Sequence, residues 1–265
     1  MVFFNNKKIM NKNILFILLF VTGSYANAQS WHAIRGGNMR NNLSPQYGLK
    51  DTQTPLWVVN DAAFTGFGGN IYTFGDRFVA TRWNLSTGKS IVECRSLHTG
   101  ELIWISPDFG STSKLHVTAF NEDAVYVHDY DDNIRMYHAL DPATGQVKWS
   151  HPSYTFGPQD SPIFDKYRNP IINTSLDEFN VDASLIRSID KDTGETRWVL
   201  QEFVVILPNR LKAAYGQTLY MVSGSAVDPK KLIAIDMEDG EILYYSDPIP
   251  GQGSQQSSPW RFTLR

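Results

Sequence analysis

"LDPATGQVKW" (140–149) is a turn followed by a closing aromatic, and nearly the same phrase occurs three more times. The other copies are "RSLHTGELIW" (95–104), "IDKDTGETRW" (189–198) and "IDMEDGEILY" (235–244). Aligned on Gly100, Gly145, Gly194 and Gly240, they recur at spacings of 45, 49 and 46 residues. Four residues beyond each glycine stands a large aromatic: Trp104, Trp149, Trp198 and Tyr244. A period in the forties, with turn signals between short alternating runs, predicts an all-β chain: a β-propeller with one four-stranded blade per repeat.

The residues between two copies supply the other strands. "LHVTAF" (115–120), "AVYVHD" (124–129) and "IRMYHAL" (134–140) each alternate, and "QVKWS" (146–150) closes the blade. "NED", "YDDN" and "DPATG" are the turns between them. In the last, the Asp141 carboxylate can accept backbone N–H groups ahead of it, Pro142 presets φ, and Gly145 can adopt positive φ. Asp190 and Asp236 repeat the role of Asp141, while Ser96 is a weaker substitute. Each closing aromatic offers a flat face for packing one blade on the next.

This D-x-x-T-G-x-x-x-W pattern resembles the repeat of the pyrroloquinoline-quinone-like propellers, the family of the quinoprotein alcohol dehydrogenases. "WHAIRGG" (31–37) resembles the opening of its non-enzymatic, outer-membrane-assembly-type members. The resemblance spans roughly residues 31–260 and implies rings of about seven or eight blades. Here four blades are legible, with "SSPWRFTLR" (257–265) reading as the start of a fifth. Trp57 in "TPLWVV" (54–59) reads as a closing tryptophan without a blade of its own. The expectation is a propeller domain over 29–265 that is truncated at its C-terminal side, against the alternative of a small five-bladed ring.

Residues 1–28 read separately. Lys7, Lys8 and Lys12 precede the apolar run "ILFILLFV" (14–21), and "ANA" (26–28) offers a cleavage site. That is the layout of a secretory signal peptide, with the run too short for a transmembrane helix and cleavage expected between Ala28 and Gln29. Met10 also opens a complete signal on its own. The remainder has 21 Lys and Arg against 27 Asp and Glu, with no basic run. Nucleic acid and anionic membrane surfaces are therefore excluded as expected partners. Cys94 is the single cysteine, so neither an intrachain disulfide nor a lipid anchor near the cleavage site is expected. The expected location is the periplasm or the exterior.

The chemical motifs are thin. "DYDDN" (129–133) has the acid spacing of a calcium loop, but Ile134 stands at the glycine position and Leu140 at that of the bidentate Glu. It reads as a polar hairpin turn on the face where propellers bind ligands. "STGKS" (86–90) lacks the first glycine of a phosphate loop, Trp83 occupying its place, and precedes a strand. His116, His128 and His138 fall on three strands of one blade without metal-ligand pairing.

The family's dehydrogenases imply a quinone with a calcium ligand set, and no such set is found here residue by residue. No cofactor and no metal are expected, and pyrroloquinoline quinone with calcium belongs only to the rival reading of a periplasmic oxidoreductase. The favoured function is an exported, non-catalytic scaffold that binds an envelope protein or polysaccharide. Its ligand-face candidates are Asp129, Asp131, Asp132, Tyr154 and Phe156, within segments 107–114, 129–133, 152–161, 176–183 and 246–256. A carbohydrate-binding accessory module is the third reading.

Overall fold

The structure, a computed structural model, describes residues 57–59, 68–109, 115–131, 134–153, 161–175, 184–200, 212–223 and 231–249. The expected signal segment and "SSPWRFTLR" lie outside the described residues. Among the described residues there is no helix long and apolar enough to cross a membrane.

Among the described residues sixteen strands form four antiparallel sheets of four, each in chain order. The first sheet holds β1 (Gly68–Phe74), β2 (Arg77–Asn84), β3 (Lys89–Ser96) and β4 (Leu102–Ile105). The second holds β5 (Leu115–Phe120), β6 (Val125–Asp131), β7 (Ile134–Leu140) and β8 (Val147–Pro152). The third holds β9 (Ile163–Phe164), β10 (Pro170–Ser175), β11 (Ser184–Ile189) and β12 (Thr196–Leu200). The fourth holds β13 (Lys212–Tyr215), β14 (Thr218–Ser223), β15 (Lys231–Asp236) and β16 (Ile242–Tyr245). Four-stranded blades in sequence order make this a β-propeller architecture.

Three apolar layers join the sheets. Val79, Val92 and Trp104 of the first pack on Leu115, Val117 and Val127 of the second. Tyr126, Tyr137 and Trp149 of the second pack on Phe164, Ile172 and Ile189 of the third. Ile171, Ile186 and Trp198 of the third pack on Leu219, Met221 and Ile233 of the fourth. These layers cover both faces of the second and third sheets and one face each of the first and fourth. The Tyr72 hydroxyl of β1 lies 3.2 Å from that of Ser161, just before β9, so first and third sheets converge on a common interior.

One contact set repeats at every junction. The indole N–H of Trp104 donates to the Pro142 carbonyl at 3.0 Å, that of Trp149 to Lys191 at 2.8 Å, and that of Trp198 to Met237 at 3.1 Å. Trp57 donates likewise to Leu97 at 2.9 Å and stacks on Phe78, with centroids 5.6 Å apart. Each ring lies on the glycine of the next turn: Trp57 on Gly100, Trp104 on Gly145, Trp149 on Gly194, Trp198 on Gly240. A Cβ at Gly145 would sit 2.4 Å from Trp104 Cε3. These glycines therefore serve twice, once through positive φ (+72° at Gly145) and once through the missing side chain.

The turns themselves follow from their short polar residues. Asp141 Oδ1 accepts the N–H groups of Ala143 (2.9 Å) and Thr144 (2.8 Å), and Asp190 Oδ1 those of Asp192 and Thr193 (2.9 Å each). Asp236 accepts from Glu238, and Ser96 Oγ accepts from His98 and Thr99 at a longer 3.2 Å. Thr144 and Thr193 Oγ1 accept the next free N–H, and Asp239 takes over that task in the fourth sheet.

The fourth closing aromatic differs. Trp104, Trp149 and Trp198 are 7%, 6% and 8% exposed, whereas Tyr244 is 46% exposed. Expected as an inter-blade wedge, Tyr244 covers no turn glycine among the described residues, and β16 leaves Leu243 and Tyr245 exposed beside it. An aromatic at this position is buried by the turn that follows it, not by its own strand.

Candidate functional site

The second sheet carries most of the chain's histidines, and its ladder places them. Leu115, Asp129, Met136 and Pro152 form one row across its edge; His116, His128, Tyr137 and His151 form the next. Segments 107–114, 129–133 and 152–161 join the strands of this sheet at this edge. Asp132, Tyr154 and Phe156 lie outside the described residues, as do 110–114, 176–183 and 250–256. Asp131 ends β6 opposite Ile134.

Asp129 requires a correction. The run "DYDDN" is strand as far as Asp131, and Asp129 is fully buried within β6 rather than displayed on a turn. The strand read over 124–129 runs on to Asp131. "STGKS" likewise resolves as a hairpin: Asn84 Oδ1 accepts from Ser86 and Thr87, and Gly88 has φ +68°.

Register divides the histidines between two faces. His116 and His128 are paired and share a face with Tyr130, whose ring centroid lies 5.3 Å and 5.7 Å from theirs. His128 Nε2 lies 2.8 Å from Ser153 Oγ. His138 pairs with Val127 and so points to the opposite face, with Nδ1 2.7 Å from Ser150 Oγ and Phe109 against its ring. Burial pushes His128 down to about 3, helped by His116 and His138, and His138 down to about 4. Burial also lowers His116 and His151. All four are neutral at pH 7. Among the described residues no three His, Cys, Asp or Glu side chains gather as a metal-holding group.

His151 crosses to the third sheet. Its Nδ1 lies 2.7 Å from the Pro152 carbonyl and its Nε2 3.1 Å from Thr196 Oγ1, with Arg187 Nη1 3.4 Å away. This cross-sheet contact was not legible in the sequence, where "SHPS" carries no motif.

A buried charge triad in the first sheet was also missed. Glu93 receives Arg82 Nη1 at 3.0 Å and Arg95 Nε at 2.7 Å, and Arg95 Nη1 donates to the Gly100 carbonyl at 2.9 Å. It anchors the turn that holds Trp57. Its sequence signal is a set of charges inside otherwise apolar strands, "FVATRW" and "IVECR". Cys94, in the same strand, is buried and its thiol is pushed up to about 12, mainly by burial, so it is no nucleophile.

A quinone held with calcium requires oxygen ligands toward the interior. The described inner strands β1, β5, β9 and β13 ("GGNIYTF", "LHVTAF", "IF", "KAAY") contain no Asp or Glu.

A family model described as "Outer membrane protein assembly factor BamB" matches residues 88–257. No curated protein matches the chain. Among solved structures the chain is similar to BamB from Moraxella catarrhalis, with 18% identity and a TM-score of 0.42. The match covers 63% of this chain and 49% of that one, so this chain spans about half the length of that structure.

Proposed function

The chain belongs to the outer membrane protein assembly factor BamB family, and from that premise we propose that it works as an exported, non-catalytic scaffold that presents a rigid face to a protein of the bacterial envelope. The observation that carries this reading is the repeated tryptophan-on-glycine lock. It ties each sheet to the next through the same hydrogen bond and the same packed ring, which is how a stiff platform is built from short repeats. The polar residues near the candidate edge support the same reading. His128 and His138 are neutral imidazoles bonded to serine hydroxyls, held at about 3 and about 4, below the range useful for acid–base catalysis near pH 7.

The periplasm or the exterior is the location this role requires, with residues 1–28 as the export signal. Binding is assigned to the edge of the second and third sheets, through the segments that hold Asp132, Tyr154 and Phe156. The opposite edge, where Tyr167 and Tyr215 are exposed, serves as the internal control.

Site-specific photo-crosslinking in the source cells tests this. A photoreactive residue at 132 or 154 is expected to give a discrete protein adduct, and one at 167 or 215 is not. Adducts equally abundant at all four positions, or at none, would overturn the reading. Calcium-dependent dye reduction on adding pyrroloquinoline quinone to the purified chain would replace it with the oxidoreductase reading.

A further inference from the structure

His151 sits where an imidazole can keep only one protonation state. The Pro152 carbonyl can only accept, so Nδ1, at 2.7 Å from it, carries the hydrogen. Arg187 can only donate, so Nε2, facing its Nη1 at 3.4 Å, presents a lone pair. Thr196 links the two: Arg187 Nη1 donates to Thr196 Oγ1 at 3.0 Å, and that hydroxyl donates to His151 Nε2 at 3.1 Å. The hydrogen bonds therefore run in one direction, from Arg187 on β11 through Thr196 on β12 and across the junction to His151 on β8.

We infer that His151 and Arg187 form a proton-operated latch between the second and third sheets, closed while Nε2 is a bare acceptor and opened when a proton occupies it. The proton turns the acceptor into a donor aimed at a guanidinium. Thr196 then faces donors on both sides, and two cations stand across the junction. Among the described residues no carboxylate faces His151. Arg187 and Thr196 face it from β11 and β12, and Tyr137 of β7, His128 of β6 and His116 of β5 continue its own row. Among the described residues Arg187 is the charge that acts on it, and it adds to burial in keeping the ring neutral.

The latch lies at the Pro152 edge, where the candidate binding segments join the strands. Acid thus loosens the platform beside the face assigned to binding and leaves the fourth sheet untouched. The inference needs no partner and stands or falls separately from the scaffold reading.

Amide hydrogen exchange on the full chain, read by mass spectrometry at about pH 7.5 and about pH 5 with intrinsic rates corrected, tests it. Peptides covering 147–152 and 184–200 are expected to lose protection several-fold at the lower pH relative to 231–245, which contains no histidine. His151→Gln keeps an acceptor toward Thr196 but takes no proton, and is expected to abolish that loss. Arg187→Met removes the opposing cation and is expected to shrink it. Unchanged protection in the wild type, or an acid loss in His151→Gln equal to the wild type's, overturns the latch. If His151→Gln does not fold, an undiminished acid loss in Arg187→Met overturns it alone.

Discussion

The junction between the second and third sheets and the outer strand of the fourth begin from nearly the same ten letters, yet they end in opposite environments. Trp149 lies against Gly194, bonds Lys191 and is nearly buried; Tyr244 stands at the same repeat position and is half exposed. The strand around each is short in both cases. What differs is whether a D-x-x-T-G turn stands over the ring. The repeat therefore encodes half of an interface, and each half acquires its energy only from the neighbour that completes it.

The largest effect expected from this comparison is the loss of a stapling ring. Trp149→Ala removes a buried indole and its hydrogen bond and should cost about 3–5 kcal/mol, measured by urea unfolding. Gly145→Ala comes next, at about 3 kcal/mol, because its Cβ would press into Trp104 from a backbone already at φ +72°. Gly88→Ala isolates the backbone share: φ is +68° with nothing within 4 Å, so the cost should be about 1 kcal/mol. Equal costs at Gly88 and Gly145 would break the claim that these glycines matter for packing.

Acid should separate the sheets in a graded way. His128 and His138 are held at about 3 and about 4, below their ordinary 6.5. The unfolded chain therefore binds more protons than the folded one between those values. Their neutral packing stabilises fully above pH 6.5 and is lost as pH falls through the interval toward 4 and 3. Thermal melts at stepped pH should show falling Tm below 6.5, and a His128→Asn, His138→Asn double variant should flatten that slope. A slope unchanged in the double variant would place the acid response elsewhere.

The smaller effects lie in the turns and the exposed ring. Asp141→Ala should cost about 1 kcal/mol and Ser96→Ala about half of that, since the serine makes longer bonds to the same donors. Tyr244→Ala should change stability by less than about 0.5 kcal/mol. A Tyr244→Ala cost matching that of Trp149→Ala would show that the fourth closing position is covered after all.

Much of this architecture was legible beforehand, and the candidate site far less so. The strands of the second sheet follow from alternation, and its closing turn follows from Asp141 and Gly145, because both are local and a few residues suffice to express them. Asp129 misled because it borders the acidic "YDDN": it reads as the last strand residue and as part of the ligand-face turn at once, and only pairing with Leu115 and Met136 shows that it is buried inside the sheet. His128 and His138 read only as strand histidines of one blade, and register, which the letters do not carry, sends them to opposite faces, since neighbouring rows of a ladder point oppositely.

From the sequence by itself came the repeat, the four-stranded unit, the turn chemistry and the family's signature, all of which are carried by residues within a few positions of one another. Only the tertiary structure decided that each tryptophan crosses to the next sheet's glycine, that Glu93 lies buried between two arginines, and that His151 meets Arg187. Apart from Arg95 beside Glu93, those pairings join residues about 10 to 45 positions apart. Such partners meet because sheets stack with a fixed register, and register is a property of the packed whole rather than of any local run of letters.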